Sequence, residues 1–154
     1  MLRSPTARKL WIWLAVLLWM AVIFSASADA GSAQHTSRFL VPVLQWLFPH
    51  LSAQGIGELV FGIRKIAHLV EYALLGVLLW WALRNPVRGD PRPWSWREAG
   101  LALGLATLYA ASDEVHQLFV PSREGCVQDV VIDACGAAGG LWLLWLFHRM
   151  RKRG

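Results

Sequence analysis

Four long apolar stretches dominate this chain, each close to the length a helix needs to cross a lipid bilayer. They run from Leu10 to about Ala28, from Ile66 to Leu83, from Ala99 to about Phe119 and from Asp129 to Phe147. A helix of about 20 residues rises about 30 Å, the thickness of the hydrocarbon core. Inside that core a segment must satisfy its own backbone hydrogen bonds, so helix is the predicted form. Composition agrees, because 56% of the 154 residues are hydrophobic and only 16% are charged. A soluble domain carries about 25% charged residues, and so small a chain has a large surface to coat. Disorder is excluded by the abundance of apolar side chains. The expected fold class is all-α, a polytopic membrane protein with residues 1–154 as a single transmembrane domain of four helices.

Charge sets the expected orientation. Eleven of the fifteen Lys and Arg fall in the N-terminal tail, the loop between the second and third stretches, and the C-terminal tail. The other four are Arg38, Arg64, Lys65 and Arg123, on the opposite side. The positive-inside rule then places both termini in the cytoplasm. Eight of the ten tryptophans fall at the inner ends of spans or in the inner loop, the headgroup level such rings prefer. Topology therefore accounts for most of the net charge of +5, and nucleic acid is not an expected partner. The first stretch has a rival reading. Arg3, Arg8 and Lys9, then Leu10 to Phe24, then Ala26-Ser27-Ala28 also fit a cleaved signal peptide.

The connections carry expectations too. The external one, about Asp29 to Lys65, holds two apolar pieces, Phe39 to Phe48 and Ile56 to Ile63. Both read as short interfacial helices. The inner loop, Arg84 to Glu98, is rich in Pro and Arg and reads as a solvated turn. Gly100, Gly104, Ala106 and Ala110 on the third span, and Gly136 and Gly140 on the fourth, predict close helix contacts. Cys126 and Cys135, on one helix, would sit about 13 Å apart, too far for a disulfide.

Climbing from the inner boundary at about 1.5 Å per residue brings the polar residues of all four spans to one depth near the outer face. Ser25 and Ser27 end the first span. Arg64, His68, Glu71 and Tyr72 share a stripe at helical spacing, with Lys65 beside it. Asp113 and Gln117 are four residues apart, as are Asp129 and Asp133, so each pair shares a face. A carboxylate at the bilayer centre costs roughly 2.5–3.5 kcal/mol. These groups are therefore expected to face one another in a polar pocket that opens outward. His68, Glu71, Asp113, Glu114 and Asp129 are the candidate catalytic acid–base residues, since neighbouring carboxyls share protons. Ser25, Ser27, Arg64, Lys65, Tyr72, Gln117, Arg123 and Asp133 are the candidate substrate contacts, with cations suited to a phosphate or carboxylate. Structural alternatives stand beside these roles. Arg64, Lys65 and Arg123 also fit solvated ends, the serines fit bonds to their own helix, and the carboxyls fit a packing network. No metal or other cofactor is expected. His68, Glu71, Asp113 and Asp129 offer donors, but no tight ligand motif and no phosphate loop occurs.

These residues resemble the VanZ-like membrane proteins. The matching pieces are Ser25-Ala-Ser27, then Arg64-Lys65-Ile-Ala-His68-Leu-Val-Glu71-Tyr72. They continue with Ser112-Asp113-Glu114-Val-His116-Gln117-Leu-Phe-Val-Pro121-Ser-Arg123-Glu124, and end with Asp129-Val-Val-Ile-Asp133-Ala-Cys-Gly136. The resemblance spans roughly residues 10 to 147, and the block from Asp113 to Asp129 is its most specific part. It implies an integral protein of the bacterial inner membrane. One member is associated with low-level resistance to the lipoglycopeptide teicoplanin, so antibiotic susceptibility is an implied readout. The family often has Asn where this chain has Asp133, and it supplies no enzymatic mechanism. Three functions stay open at this point. The chain is an enzyme acting on an amphiphilic envelope molecule such as a lipid-linked sugar, a lipid- or antibiotic-binding protein without turnover, or a structural assembly partner. The expected partner is a membrane lipid or lipid-linked envelope molecule, with homo-oligomerisation left open.

Overall fold

The computed structural model describes residues 5–27, 33–87, 90–119 and 126–152. Among them are five α-helices: α1 (Pro5–Ser27), α2 (Ala33–Leu47), α3 (Ala53–Arg84), α4 (Trp96–Gln117) and α5 (Val127–Arg151). Three of these, α1, α3 and α5, are long and apolar enough to cross a membrane. On α1, Leu10, Leu17 and Leu18 are largely exposed. Such a surface would drive association in water and is the normal exterior in lipid. Helix α4 occupies the third expected span without matching the others in apolarity. Its Asp113, Glu114 and Gln117 are buried inside the bundle, so protein rather than lipid surrounds its polar end.

The external connection differs from its expectation. Ile56 to Ile63 is not a separate short helix. It forms the early turns of α3, which is one helix of 32 residues. Ser52 Oγ accepts from Gly55 N–H to start it, and Asn85, left-handed at φ 47°, ends it. Gly57 and Gly62 leave it intact because a helix tolerates a glycine at about 1 kcal/mol. At 1.5 Å per residue α3 rises about 48 Å, well beyond the hydrocarbon thickness. The other apolar piece lies in α2, which begins earlier than expected and keeps Pro42 in its interior. Helix α2 rests on the surplus of α3, where Leu44, Ile56 and Val60 form a small core.

The main core belongs to α1, α3, α4 and α5. Helices α3 and α5 run parallel and touch through glycine. A β-carbon built on Gly136 would meet Leu69 O at 2.5 Å, and one on Gly76 would meet Ala137 O at 3.0 Å. The stripe predicted on α4 is displaced. Gly100 and Gly104 face open space, and the buried face is Ala99, Ala102, Ala106 and Ala110. Helix α1 is fastened by Trp19 Nε1, which donates to Glu71 O at 2.9 Å, and accepts Tyr109 OH at Met20 O at 2.6 Å.

Much of the described inner loop is exposed, as the sequence suggests, but its first residue is not. Arg84 is buried and donates to Glu98 Oε2 at 2.8 Å and Pro93 O at 2.7 Å. Arg8 ties α1 to the same corner, donating to Asn85 Oδ1 at 2.9 Å and Asn85 O at 3.1 Å. Cys126 and Cys135 are both free thiols.

Candidate functional site

Where α1 and α4 end, α5 begins and α3 is in mid-course, polar side chains from four helices meet. The parallel register of α3 and α5 explains half of this. It sets Lys65 against Asp129 and His68 against Asp133, one helical turn further along. Lys65 Nζ pairs with Asp129 Oδ1, and His68 Nδ1 lies 3.3 Å from Asp133 Oδ1. The other half comes from α4 and α1. Asp113 Oδ2 accepts from Ser27 Oγ at 2.6 Å and from Gln117 Nε2 at 3.1 Å. Asp133 and Tyr72 are 0% exposed and Ser27 is 1% exposed, so this cluster is packed into the bundle and not spread over its surface.

Glu114 takes a part that sequence reasoning missed. Its Oε1 accepts from Gln117 Nε2 at 3.3 Å, and its Oε2 accepts from Cys126 N–H at 2.8 Å. Cys126 is the N-cap residue of α5 and makes no side-chain capping bond. Helix starts need such an acceptor for their unpaired N–H groups. Glu114 supplies one to the cap residue itself from the end of α4 and so joins the two helices. The signal in the sequence was the poor N-cap residue, not the glutamate.

Several buried oxygens have no hydrogen-bond partner among the described residues. They are Tyr72 OH, Asp113 Oδ1 and Asp133 Oδ2, while Asp133 Oδ1 faces His68 Nδ1. They come from α3, α4 and α5. An orphaned buried polar group costs about 1–3 kcal/mol, which a donating ligand, a proton or ordered water offsets. The set offers acceptors and one phenol to a molecule rich in hydroxyl or amine donors. Asp133 and His68 stand close enough to pass a proton.

The other sequence candidates fall differently. Ser25 stays outside the cluster, exposed, with its hydroxyl donated to Ala21 O at 2.8 Å. Arg64 and Glu71 are half-buried on α3, next to Lys65 and Tyr72. Arg123 lies outside the described residues. His116 stacks on Phe24 at 4.3 Å between ring centroids. Among the described residues no group of three or more His, Cys, Asp or Glu is arranged to hold a metal ion. A cavity of about 460 Å³ is present at the opposite end of the bundle.

Ser27→Ala tests the cluster directly. It strips one donor from buried Asp113 while Gln117 remains. The expected loss is about 1–2 kcal/mol, read from unfolding of the purified protein in detergent.

A family model described as VanZ/LLP1 matches residues 11–148. The match runs from the second turn of α1 to the last turn of α5. No curated protein and no solved structure matches the chain.

Proposed function

The chain belongs to the VanZ/LLP1 family, and we propose that it binds the hydroxyl-bearing headgroup of an amphiphilic envelope molecule and acts on it. In this reading α4 is a fourth span, buried well enough for its carboxyls to sit at membrane depth. The basic end faces the cytoplasm of a bacterium by the positive-inside rule. In this reading the polar cluster faces outward, at the end of the bundle where α1 and α4 finish.

The observation that carries this is the orphaned set Tyr72 OH, Asp113 Oδ1 and Asp133 Oδ2. Acceptors gathered from three helices match a lipid-linked sugar better than they match an apolar chain. Lys65, already at Asp129, sits at the rim where a phosphate would follow the sugar. His68 and Asp133 are the acid–base pair if turnover occurs. Teicoplanin, with sugars and an acyl tail, has the same chemistry, and its growth inhibition in cells with and without the gene is a second readout.

Asp133→Asn keeps the shape and removes the charge. Purified protein is incubated with envelope lipid extract and examined by mass spectrometry. Wild type is expected to retain a sugar-bearing lipid or convert it to a new species, and the variant to lose about 10–100-fold of that. A new species means catalysis, and an unchanged bound lipid means capture. If wild type retains nothing, or the variant retains as much, the reading fails. A purely structural role has its own support, since Ser27, Gln117 and Glu114 use their groups to join helices. That role predicts that Asp133→Asn lowers the folded yield instead of the bound lipid.

A further inference from the structure

At the opposite end of the bundle, α3 and α5 finish beside the inner loop and enclose the cavity of about 460 Å³. That volume lies in the range of about 300–1,000 Å³ typical of small-ligand sites. Its lining divides into two kinds of surface. One wall is apolar, built by Trp80, Trp81, Leu144 and Phe147. Trp81 and Phe147 are also exposed on the outside of the bundle, so this wall continues into the surface that acyl chains would cover. The rim is basic: Arg84, Arg151 and Lys152 line the cavity with Asp90 as the carboxylate among them.

The charges are not equivalent. Arg84 is committed to Glu98, Pro93 O and Asp90, and Asp90 to Arg92. Arg151 and Lys152 are exposed at the mouth, Arg151 over the Phe147 ring at 5.7 Å. Among the described residues the Lys152 ammonium makes two long contacts, 3.3 Å to Pro91 O and 3.4 Å to Arg92 O. Deeper in, Trp80 Nε1 and His148 Nε2 are buried without a hydrogen-bond partner among the described residues. The cavity thus joins an acyl-compatible wall and two exposed cations.

We propose that this cavity is a binding site for the phosphate headgroup of an anionic membrane lipid, separate from the polar cluster at the other end. The phosphate sits between Arg151 and Lys152, and the first acyl carbons lie along Trp81 and Phe147. An uncharged or zwitterionic headgroup gains less, because the local balance is basic.

Native mass spectrometry of the full chain in detergent tests this with three probes: dioleoylphosphatidylglycerol, dioleoylphosphatidylcholine and inorganic phosphate. Wild type is expected to retain phosphatidylglycerol over phosphatidylcholine, and the preference should weaken with added salt. The double variant Arg151→Gln/Lys152→Gln is expected to lose about 20–30-fold in phosphatidylglycerol retention. Arg149→Gln, a neighbour that stacks over Trp145 instead, is expected to retain it as wild type does. Leu144→Trp fills the cavity without changing charge and should expel the lipid. Equal retention of the two lipids by wild type overturns the proposal, as does an equal loss in Arg149→Gln. Displacement of the lipid by equimolar inorganic phosphate would mean a site for free phosphate, and overturns the lipid assignment. Asp133→Asn should leave phosphatidylglycerol retention untouched, so failure here and failure of the headgroup reading are told apart.

Discussion

Gly140→Ala is expected to destabilise the bundle by about 3 kcal/mol, the upper end of the usual range for overpacking. The added β-carbon would stand 2.4 Å from Ala73 O and 2.9 Å from Ala73 C and Cα. All three are backbone atoms of a helix, so no side-chain rotation relieves the clash. Helices α3 and α5 must part, and parting them also loosens the contacts of Gly76 with Ala137 and of Gly136 with Leu69. Close-packed interiors transmit such strain and do not absorb it. Gly139→Ala and Gly104→Ala are the controls, because a β-carbon there meets nothing within 4 Å. In a helix interior those two should be neutral or stabilising by up to about 1 kcal/mol. Denaturant unfolding in detergent, followed by tryptophan fluorescence, separates the outcomes. If Gly140→Ala unfolds no more readily than Gly139→Ala, α3 and α5 do not approach as described. The same seam sets the register of Lys65 with Asp129 and His68 with Asp133. A destabilised Gly140→Ala protein should therefore also lose whatever the polar cluster binds.

What the sequence revealed depended on whether the signal was local. Helical spacing is a local signal, and it correctly paired Asp113 with Gln117. Hydropathy is local too, and it found α1, the apolar part of α3, and α5. Glycine spacing on α5 marked a real contact, whereas the same spacing on α4 did not. Which face of α4 turns inward is decided by its partners, and they take the alanines. The length of α3 was hidden because Arg64 and Lys65 divide the Ile56–Ile63 piece from the apolar run that starts at Ile66. The helix continues because α2 covers part of that segment through Ile56 and Val60. Glu114 was seen as an acid in a cluster, but its bond to Cys126 N–H bridges two elements. No residue spacing announces a cap supplied from another helix. Arg84 misled for a related reason. A run of Arg and Pro is usually solvated, and only the folded corner reveals that Arg84 is buried among its acceptors.

Arg84→Ala is expected to cost about 3–5 kcal/mol, the loss typical when one partner of a buried ion pair is removed. Its guanidinium bonds Glu98 and Pro93 O, lies 3.6 Å from Asp90, and stacks over Trp80 at 5.4 Å. The planar fork serves these at once, so Arg84→Lys should recover only part of the loss. Removing Arg84 leaves the Glu98 carboxylate partly buried without its cation. Glu98→Ala added to Arg84→Ala should therefore add little further loss, and a double-mutant cycle would show strong coupling. If the two losses simply add, the pair is not a unit. Acid provides a second check. The Arg92 guanidinium bonded to Asp90, helped by Arg84, holds that carboxyl well below the usual carboxylate range. A lowered native pKa contributes stability that is full above the unfolded value of about 3.9 and is lost as pH falls through the native one. The Asp90 contribution should thus persist at neutral and mildly acidic pH and disappear only in stronger acid. In Arg84→Ala one of the two cations beside Asp90 is gone, so its native carboxyl is lowered less; the loss starts near the unfolded value in both proteins but is smaller and complete at a higher pH in the variant. Unfolding midpoints measured from about pH 6 down to about pH 2 should show a smaller total acid-dependent fall in the variant, and a fall as large as in wild type would mean that Arg84 does not act on Asp90.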